Sequence, residues 1–304
     1  MKFEGENYKL YNGDCLEIMD KLIEEGTQVD LTVTSPPYDD LRNYNNSLVW
    51  DFDIFKQVAI RLYQITKDGG VVVWVVGDKT KNGSESGTSF KQALYFKEVG
   101  FNLWDTMIYM KKGGLKPNPS IPRYAPDFEY MFVLSKGKPK TFNEIRVPCS
   151  TAGEKLGGSK RQRQVNGELK AITLTHQEVQ QTKRKGNVWE YGVGNNKTTK
   201  DKYAFKHPAI FPEKLAQDHI LSWSNEGDLV FDCFMGSCTT GKMALLNNRN
   251  FIGIEKVNDY FEISKQRIEK YMKGWLMMIA VYIAFLLFVG VSVALLYIAK
   301  DKEE

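Results

Sequence analysis

Residues 228–255 read DLVFDCFMGSCTTGKMALLNNRNFIGIE, and this stretch decides the fold. Its pattern predicts an apolar strand, a loop around Gly236, a helix over 239–247 and a second strand that ends at Glu255. In nucleotide-binding α/β proteins, such a loop approaches the ligand with its backbone, and an acidic residue on the next strand binds ribose hydroxyls. Taken alone, the layout also fits an ordinary turn between a strand and a helix.

A second transition from strand to loop lies near the N-terminus, where the apolar strand 29–33 is followed by TSPPY at 34–38. Two consecutive prolines hold the backbone extended and keep the carbonyl of Pro36 available as an acceptor. Ser35 adds a hydroxyl group, and Tyr38 adds an aromatic face. This combination suits an amino group on a planar base, although a plain turn at a sheet edge is the alternative interpretation.

Strands and helices alternate through most of the remaining chain. Apolar periodicity predicts helices over 55–63, 90–99 and 212–223, and strands over 71–76, 101–109 and 128–134. The alternation predicts an α/β fold built on a doubly wound, Rossmann-like and mostly parallel sheet.

The charge of the chain is concentrated in its middle. The 304 residues carry a net charge of +4, whereas residues 136–206 contain 16 basic and 6 acidic side chains, which leaves −6 for the rest. A run of charges is often only a solvated surface. Here the concentration inside a domain favours an insertion, over residues 138–190, that contacts a polyanion.

Composition excludes several other classes of protein. The hydrophobic and charged fractions, 42% and 26%, do not fit disordered or collagen-like chains. Four cysteines without a CxxC motif and three scattered histidines predict a reduced, cytoplasmic environment and no metal site.

Together, the two motifs resemble the amino-methylating DNA methyltransferases that use S-adenosylmethionine. Residues 33–38 are similar to the catalytic motif of that family, and residues 231–241 to its cofactor motif. The catalytic motif precedes the cofactor motif and the basic segment lies between them, so the circularly permuted order matches the beta arrangement. Residues 12–15, 128–130 and 207–215 also resemble the family.

The resemblance implies a methyltransferase domain over residues 1–272 that methylates an exocyclic amine of a base flipped out of double-stranded DNA. Cytosine N4 is the expected target and adenine N6 the alternative, because Ser35 stands where adenine-specific members more often carry aspartate. The implied catalytic residues are Ser35, Pro36, Pro37 and Tyr38. The implied residues for binding S-adenosylmethionine are Asp14, Phe211, Asp232, Phe234, Gly236, Ser237, Thr239, Thr240 and Glu255.

The same resemblance assigns individual roles. Ser35 and the Pro36 carbonyl accept the two amine protons, and Tyr38 stacks on the base. Asp14 binds the adenine amine of the cofactor and Glu255 its ribose hydroxyls. A cognate restriction endonuclease is a further partner that the family suggests.

Two positions depart from the family, which usually has proline at 233 and glycine at 238. This chain has Cys233 and Cys238 instead. A side chain in the left-handed conformation costs about 1–2 kcal/mol. We therefore expect weakened cofactor binding, and a catalytically impaired DNA-binding protein is the alternative function.

The C-terminus holds a long apolar run. Residues 275–299 carry no charge, and at about 1.5 Å per residue they would span roughly 37 Å. The sequence therefore predicts a C-terminal segment over 273–304 with a transmembrane helix over 275–299 that anchors a cytoplasmic catalytic domain. A fusion with no part in the chemistry is the other interpretation.

Overall fold

The computed structural model describes residues 1–37, 50–113, 120, 122–194 and 196–274, without the side chains of residues 156–160 and 173–177. In chain order, the strands are β1 (Lys2–Gly5), β2 (Tyr8–Asn12), β3 (Val29–Thr34), β4 (Thr66–Val76), β5 (Thr80–Lys81), β6 (Ser84–Glu85), β7 (Asn102–Lys112), β8 (Phe128–Ser135), β9 (Arg146–Pro148), β10 (Lys155–Arg163), β11 (Leu169–Glu178), β12 (Thr182–Arg184), β13 (Val188–Gly192), β14 (Leu229–Asp232) and β15 (Asn250–Glu255).

Four α-helices lie where the sequence predicts them, whereas the helix at Cys15–Glu24, the 3-10 helix and the stretch over 258–274 were not predicted. The helices are α1 (Cys15–Glu24), α2 (Phe52–Ile65), α3 (Thr88–Val99), α4 (Glu213–Trp223) and α5 (Thr239–Leu246), with a 3-10 helix at Lys202–Lys206 and a helical stretch over 258–274. Side chains start two of them: the carboxylate of Asp14 accepts from the backbone N–H of Leu16 at the start of α1, and that of Asp51 accepts from Ile54 at the start of α2.

Nine strands form one sheet in the order β1-β2-β15-β14-β3-β4-β8-β7-β13. Five neighbouring pairs are parallel and three are antiparallel. The sheet is therefore mixed, which refines the predicted mostly parallel sheet. Two of the antiparallel pairs arise because β8 returns directly between β4 and β7, and the third is the hairpin of β1 and β2.

Helices cover both faces of the sheet, as a doubly wound fold requires. On one face, α1, α2 and α3 pack around Phe55, Trp74 and Phe96, which are fully buried. On the other face, α4, α5 and the stretch 258–274 pack against the sheet through apolar side chains such as Phe261.

This topology brings the two sequence motifs together. Strand β14 lies between β15 and β3 and is parallel to both, so the carboxyl ends of all three strands lie at one edge. Ser35 follows β3, the glycine loop follows β14, and Glu255 ends β15. Crevices at this edge are the usual ligand sites of open α/β sheets.

The predicted basic insertion contains more regular structure than its composition indicates. Strands β10 and β11 form a long antiparallel hairpin, and β9 pairs with β12. Strand β13 then returns to the central sheet and pairs in parallel with β7. The hairpin was not predicted because the sequence of β10 is mostly polar and neither strand shows the strict alternation of apolar and polar residues that marks a half-buried strand.

The predicted C-terminal transmembrane helix requires a correction. Across residues 1–37, 50–113, 122–194 and 196–274, no helix has the length and apolarity needed to cross a membrane. The predicted span 275–299 lies outside the described residues. That prediction rested on the length, the apolarity and the flanking residues of the segment. Over its described residues, the structure supports a Rossmann-like mixed sheet and contains no membrane-spanning helix.

Candidate active site

A cavity of about 650 Å³ opens at the carboxyl edge of the sheet. This volume lies in the range typical of sites for small ligands. The cavity brings together most of the residues predicted from the sequence. Its lining includes Asp14, Ser35, Pro36, Pro37, Phe211, Phe234, Gly236, Ser237, Thr239 and Glu255.

The glycine loop is held to the neighbouring strand through Glu255. The backbone N–H of Gly236 donates to Glu255 Oε2 at 2.8 Å, and that of Val257 donates to Oε1 at 2.8 Å. Burial nevertheless raises the pKa of Glu255 to about 7. A carboxylate has about four lone-pair sites, so both oxygens retain the capacity to accept hydroxyl donors from a ligand.

Gly236 is required by both conformation and space. Its φ is +53°, and a Cβ at this position would lie 2.9 Å from Nε2 of His207. The imidazole of His207 is itself fixed, because its Nδ1 accepts from the backbone N–H of Ala209 at 3.2 Å and its ring packs edge-on against Tyr260. The loop backbone therefore forms an open cradle that any side chain at 236 would fill.

Asp14 lines the cavity beside the end of β15, where the backbone N–H of Gly13 donates to the carbonyl of Glu255 at 3.0 Å. Its Oδ1 accepts from the backbone of Leu16, and its Oδ2 pairs with Nζ of Lys256 at 3.0 Å. Burial opposes ionisation of Asp14, but the hydrogen bonds from Lys256 and Leu16 outweigh it and lower its pKa. Asp14 is thus a charged acceptor at physiological pH.

Two predicted cofactor residues lie behind the cavity and do not line it. Asp232 is buried and accepts from Thr34 Oγ1 at 2.6 Å and from the backbone N–H of Phe234 at 3.1 Å. Thr240 donates through Oγ1 to the Val33 carbonyl at 3.1 Å. Both side chains therefore join the glycine loop to the end of β3. Burial also raises the pKa of Asp232 to about 6.

The catalytic motif is described up to Pro37. Ser35, Pro36 and Pro37 line the cavity directly after β3, whereas Tyr38 lies outside the described residues. Phe234 faces the same cavity and packs edge-on against Trp50, with ring centroids 5.2 Å apart. Ser35, Pro36 and Pro37, here called the acceptor wall, therefore line the same cavity as the aromatic side chains of Phe234 and Trp50.

The two cysteines occupy different environments. Cys238 is fully buried, has a φ of +61° at the start of α5 and does not line the cavity. Cys233 lines the cavity, although only 1% of its surface is exposed. Burial raises the pKa of Cys238 to about 12, so its thiol stays neutral.

The sequence did not predict several residues of the cavity wall. They include Cys15, Trp50, Tyr109, Lys111, Glu129 and His207. Glu129 and His207 lie in two segments that resemble the family, and those segments could have indicated them. Lys111 has no signal of this kind, because only the pairing of β7 with β8 brings it to the site.

A buried ionic cluster supports the loop from behind. The guanidinium of Arg267, which is fully buried, donates to the Ser237 carbonyl at 2.8 Å and to Thr239 Oγ1 at 3.0 Å. It also pairs with Asp201 at 2.9 Å and with Glu213 at 2.5 Å. Arg267 therefore joins the cofactor loop to the segment that carries His207 and Phe211.

Fold and site together define an S-adenosylmethionine-dependent methyltransferase of the Rossmann-like class. The sequence model of the DNA methylase family (N6_N4_Mtase) matches residues 29–266. The chain is 53% identical over 247 residues to the orphan methyltransferase M.BamHII of Bacillus amyloliquefaciens, an alignment that covers 80% of this chain and 90% of that protein. This protein belongs to the DNA methylase family and is a DNA methyltransferase.

Two solved structures share the fold. The complex of M1.HpyAVI with S-adenosylmethionine has a TM-score of 0.57 at 23% identity and covers 86% of this chain and 98% of that one. The cytosine-N4-specific PvuII DNA methyltransferase has a TM-score of 0.60 at 23% identity and covers 86% of both chains. S-adenosylmethionine is the cofactor of this family, and the open cradle at Gly236 beside the Glu255 carboxylate fits it.

Proposed function

We propose that this DNA methyltransferase methylates the exocyclic amine of a base flipped out of double-stranded DNA, and that the base is cytosine, modified at N4. One observation carries the proposal: the acceptor wall at Ser35–Pro37 and the cradle between Gly236 and Glu255 line the same cavity. A base cannot reach such a cavity while it is stacked in a duplex, so it enters by flipping.

The acceptor wall activates the amine. The lone pair of an exocyclic amine is conjugated into the ring, which makes the nitrogen a weak nucleophile. The Ser35 hydroxyl and the Pro36 carbonyl each accept one N–H, which draws the nitrogen towards tetrahedral geometry and localises its lone pair. Formation of the bond between this nitrogen and the methyl carbon would be matched by cleavage of the bond between that carbon and the cofactor sulfur, which would leave S-adenosylhomocysteine. The methylated nitrogen would then lose one proton to water through the acceptors at Ser35 and Pro36. Positioning and electrostatics supply most of the rate.

S-adenosylmethionine, when bound, supplies a methyl group on a positively charged sulfur. Glu255 binds its ribose hydroxyls and Asp14 its adenine amine, while Gly236, Ser237 and Thr239 surround its methionine part. Phe211 and Phe234 form apolar walls. Asp232 and Thr240 lie behind the cavity and support the site indirectly, because they hold the glycine loop to the end of β3.

The preference for cytosine rests on Ser35. A serine hydroxyl is a neutral acceptor, and the family resemblance associates serine at this position with N4 methylation of cytosine. The likeness to the PvuII enzyme is compatible with the same target. Adenine N6 methylation would use the same acceptors and remains the second candidate.

Exposed basic side chains provide a surface for the DNA backbone. Arg161, Arg163 and Lys170 lie on the β10–β11 hairpin, and Lys183 and Arg184 on β12, and all five are exposed. Contacts to phosphates give affinity that falls steeply with salt. We place the activity in the cytoplasm, where bacterial DNA lies, and a cognate restriction endonuclease is compatible with this function.

Labelled S-adenosylmethionine tests the proposal directly. The purified full-length chain is incubated with mixed-sequence DNA, which is then digested to nucleosides. N4-methylcytosine is the expected product. N6-methyladenine would retain the mechanism and change the base, whereas DNA binding without any methylated nucleoside would indicate an impaired DNA-binding protein.

A further inference from the structure

An ion pair faces the acceptor wall across the cavity. Lys111 Nζ lies 2.7 Å from Glu129 Oε1, and the two side chains are 24% and 14% exposed. Both line the cavity that contains Ser35, Pro36 and Glu255. The catalytic mechanism proposed above assigns no task to this pair.

The topology fixes how far the pair lies from the acceptor wall. Strand β8, which carries Glu129, is the second neighbour of β3 in the sheet. Neighbouring strands lie about 4.8 Å apart, so β3 and β8 are roughly 10 Å apart. Thr34 is level with Trp74, which is level with Phe132. Because β8 runs antiparallel, Glu129 projects beyond that level towards the same edge as Ser35. From this strand spacing we infer that one heterocycle fits between the ion pair and the acceptors at Ser35 and Pro36.

A purely structural role explains the pair poorly. Strands β7 and β8 are already joined by a ladder that runs from Asn102 and Ser135 to Met110 and Phe128. An ion pair at the end of such a ladder adds little stability, and removing charges from water offsets much of their attraction. The position at the cavity wall is therefore the informative property of this pair.

We propose that Lys111 and Glu129 bind the ring of the flipped base, an assignment that rests on the proposed function. With the amine held by Ser35 and Pro36, the remaining acceptors of the Watson–Crick edge lie beside the amine on the same edge of the ring, and that wall provides no donor for them. In cytosine these are N3 and O2, and in adenine only N1. The ammonium of Lys111 donates to them, so it favours cytosine.

Glu129 serves Lys111 in two ways. It fixes the ammonium in place, and its negative charge offsets the positive charge beside the base. An unbalanced cation at the ring would withdraw electrons from the amine and slow its attack. The pair thus binds the base and preserves the nucleophilicity of the amine.

The test compares duplexes with and without the target base. The methylated position is first mapped with the full-length wild-type chain, and duplexes are then made with either the base or an abasic site there. Binding is measured by anisotropy with S-adenosylhomocysteine present. We expect Lys111→Gln to weaken binding of the intact duplex about tenfold, as for loss of a hydrogen bond from a charged donor, and binding of the abasic duplex less than twofold.

Glu129→Gln gives the second readout. We expect its binding of the intact duplex to stay within twofold, while its single-turnover methylation rate falls about tenfold. The matched control is Lys112→Gln, which removes the neighbouring exposed pair with Glu190 and is expected to change binding of both duplexes equally.

Two results would overturn the assignment alone: equal weakening of both duplexes by Lys111→Gln, or an unchanged methylation rate in Glu129→Gln. A wild-type chain that places no methyl group on DNA would instead overturn the proposed function, and this assignment with it. The intact and abasic duplexes are compared within one preparation of each variant, so partial misfolding affects both equally.

Discussion

The backbone N–H of Gly236 and the Oε2 of Glu255 are joined by a 2.8 Å hydrogen bond across 19 residues of sequence. This bond fixes the distance between the glycine loop and the carboxylate, the two groups proposed to hold the methionine part and the ribose of the cofactor. Both groups belong to one rigid unit, because β14 and β15 pair directly beneath them.

Substitution of Glu255 by glutamine should weaken S-adenosylmethionine binding about tenfold or more, since hydrogen bonds to a charged group contribute about 1.5–3 kcal/mol. Burial raises the pKa of Glu255 to about 7, so the carboxylate becomes ionised as the pH rises through 7. We therefore expect wild-type affinity to increase from pH 6 to pH 8 in calorimetric titrations. Asp232 also titrates near this window, but it does not line the cavity.

The raised pKa of Glu255 also determines how the free energy of unfolding changes with pH. Between its ordinary pKa of 4.5 and about 7, the folded chain retains a proton on Glu255 that the unfolded chain releases. The free energy of unfolding therefore falls as the pH rises through this window. Glu255→Gln should flatten both dependences. Glu262→Gln, on an exposed side chain, is the control, and a pH profile unchanged in Glu255→Gln would contradict the assignment.

Substitution of Gly236 by alanine should affect the site more than the fold. The left-handed backbone costs about 1–2 kcal/mol for any Cβ, and here the Cβ would also lie 2.9 Å from His207 Nε2. Gly87 is the matched control, because its φ is +64° and nothing lies within 4 Å of its Cβ position.

We expect both variants to lose unfolding free energy in urea titrations, and Gly236→Ala to lose more than Gly87→Ala, because only its Cβ lies too close to the fixed ring of His207. Only Gly236→Ala should lose affinity for S-adenosylmethionine in calorimetry. Equal cofactor affinity in the two variants would show that the cradle at Gly236 does not hold the cofactor.

The sequence predicted those helices and strands whose pattern lies within one short stretch of the chain. The periodicity of Phe55, Val58 and Leu62 predicted α2, and the apolar run 71–76 predicted most of β4. The spacing of Gly236 and Glu255 predicted their proximity, because a strand, loop, helix and strand of this length fold back to one edge.

Other parts of the site depend on pairings between distant segments. Lys111 reaches the cavity only because β7 pairs antiparallel with β8, and Arg267 reaches Ser237 only because the stretch 258–274 packs behind the loop. Asp232 looked like a cofactor residue in the motif. Its partner Thr34 lies 198 positions away, and this contact turns its carboxylate into the interior.

Cys238 offers a measurement of backbone strain. Its φ is +61°, a conformation that costs about 1–2 kcal/mol for a residue with a Cβ. Cys238→Gly relieves this strain but loses the buried thiol, whereas Cys238→Ala loses the thiol and keeps the strain. We expect the glycine variant to be more stable than the alanine variant by about 1 kcal/mol in urea titrations.

The consequence for the cofactor is a separate measurement. The sequence predicted tighter S-adenosylmethionine binding in Cys238→Gly, and calorimetry of the two variants tests this. The sulfur of Cys238 lies outside the cavity. We therefore expect the glycine and alanine variants to differ more in unfolding free energy than in the free energy of cofactor binding. Equal stability of the glycine and alanine variants would show that the residue is not strained.

Arg267 should be the residue whose loss most weakens the fold around the site. Substitution by methionine leaves Asp201 and Glu213 with Lys242 as their remaining cationic partner in the cluster, and breaking a buried ion pair in this way costs about 3–5 kcal/mol. Although burial opposes their ionisation, Lys242 and Arg267 lower the pKa of both carboxyl groups, and a hydrogen bond from Thr199 further lowers that of Glu213. Their contribution to stability is therefore present at neutral pH and is lost as the pH falls below about 4.

Urea titrations at pH 7 and at about pH 3 should show this as a difference in unfolding free energy between wild type and Arg267→Met that becomes smaller at the lower pH. The control is Arg61→Gln, which breaks a partly exposed pair with Asp20 and is expected to lose no more than about 1 kcal/mol. A loss in Arg267→Met no larger than in the control would mean that the cluster does not stabilise the loop. Weaker S-adenosylmethionine binding in Arg267→Lys, at preserved stability, would further identify Arg267 as the residue that positions Ser237 and Thr239.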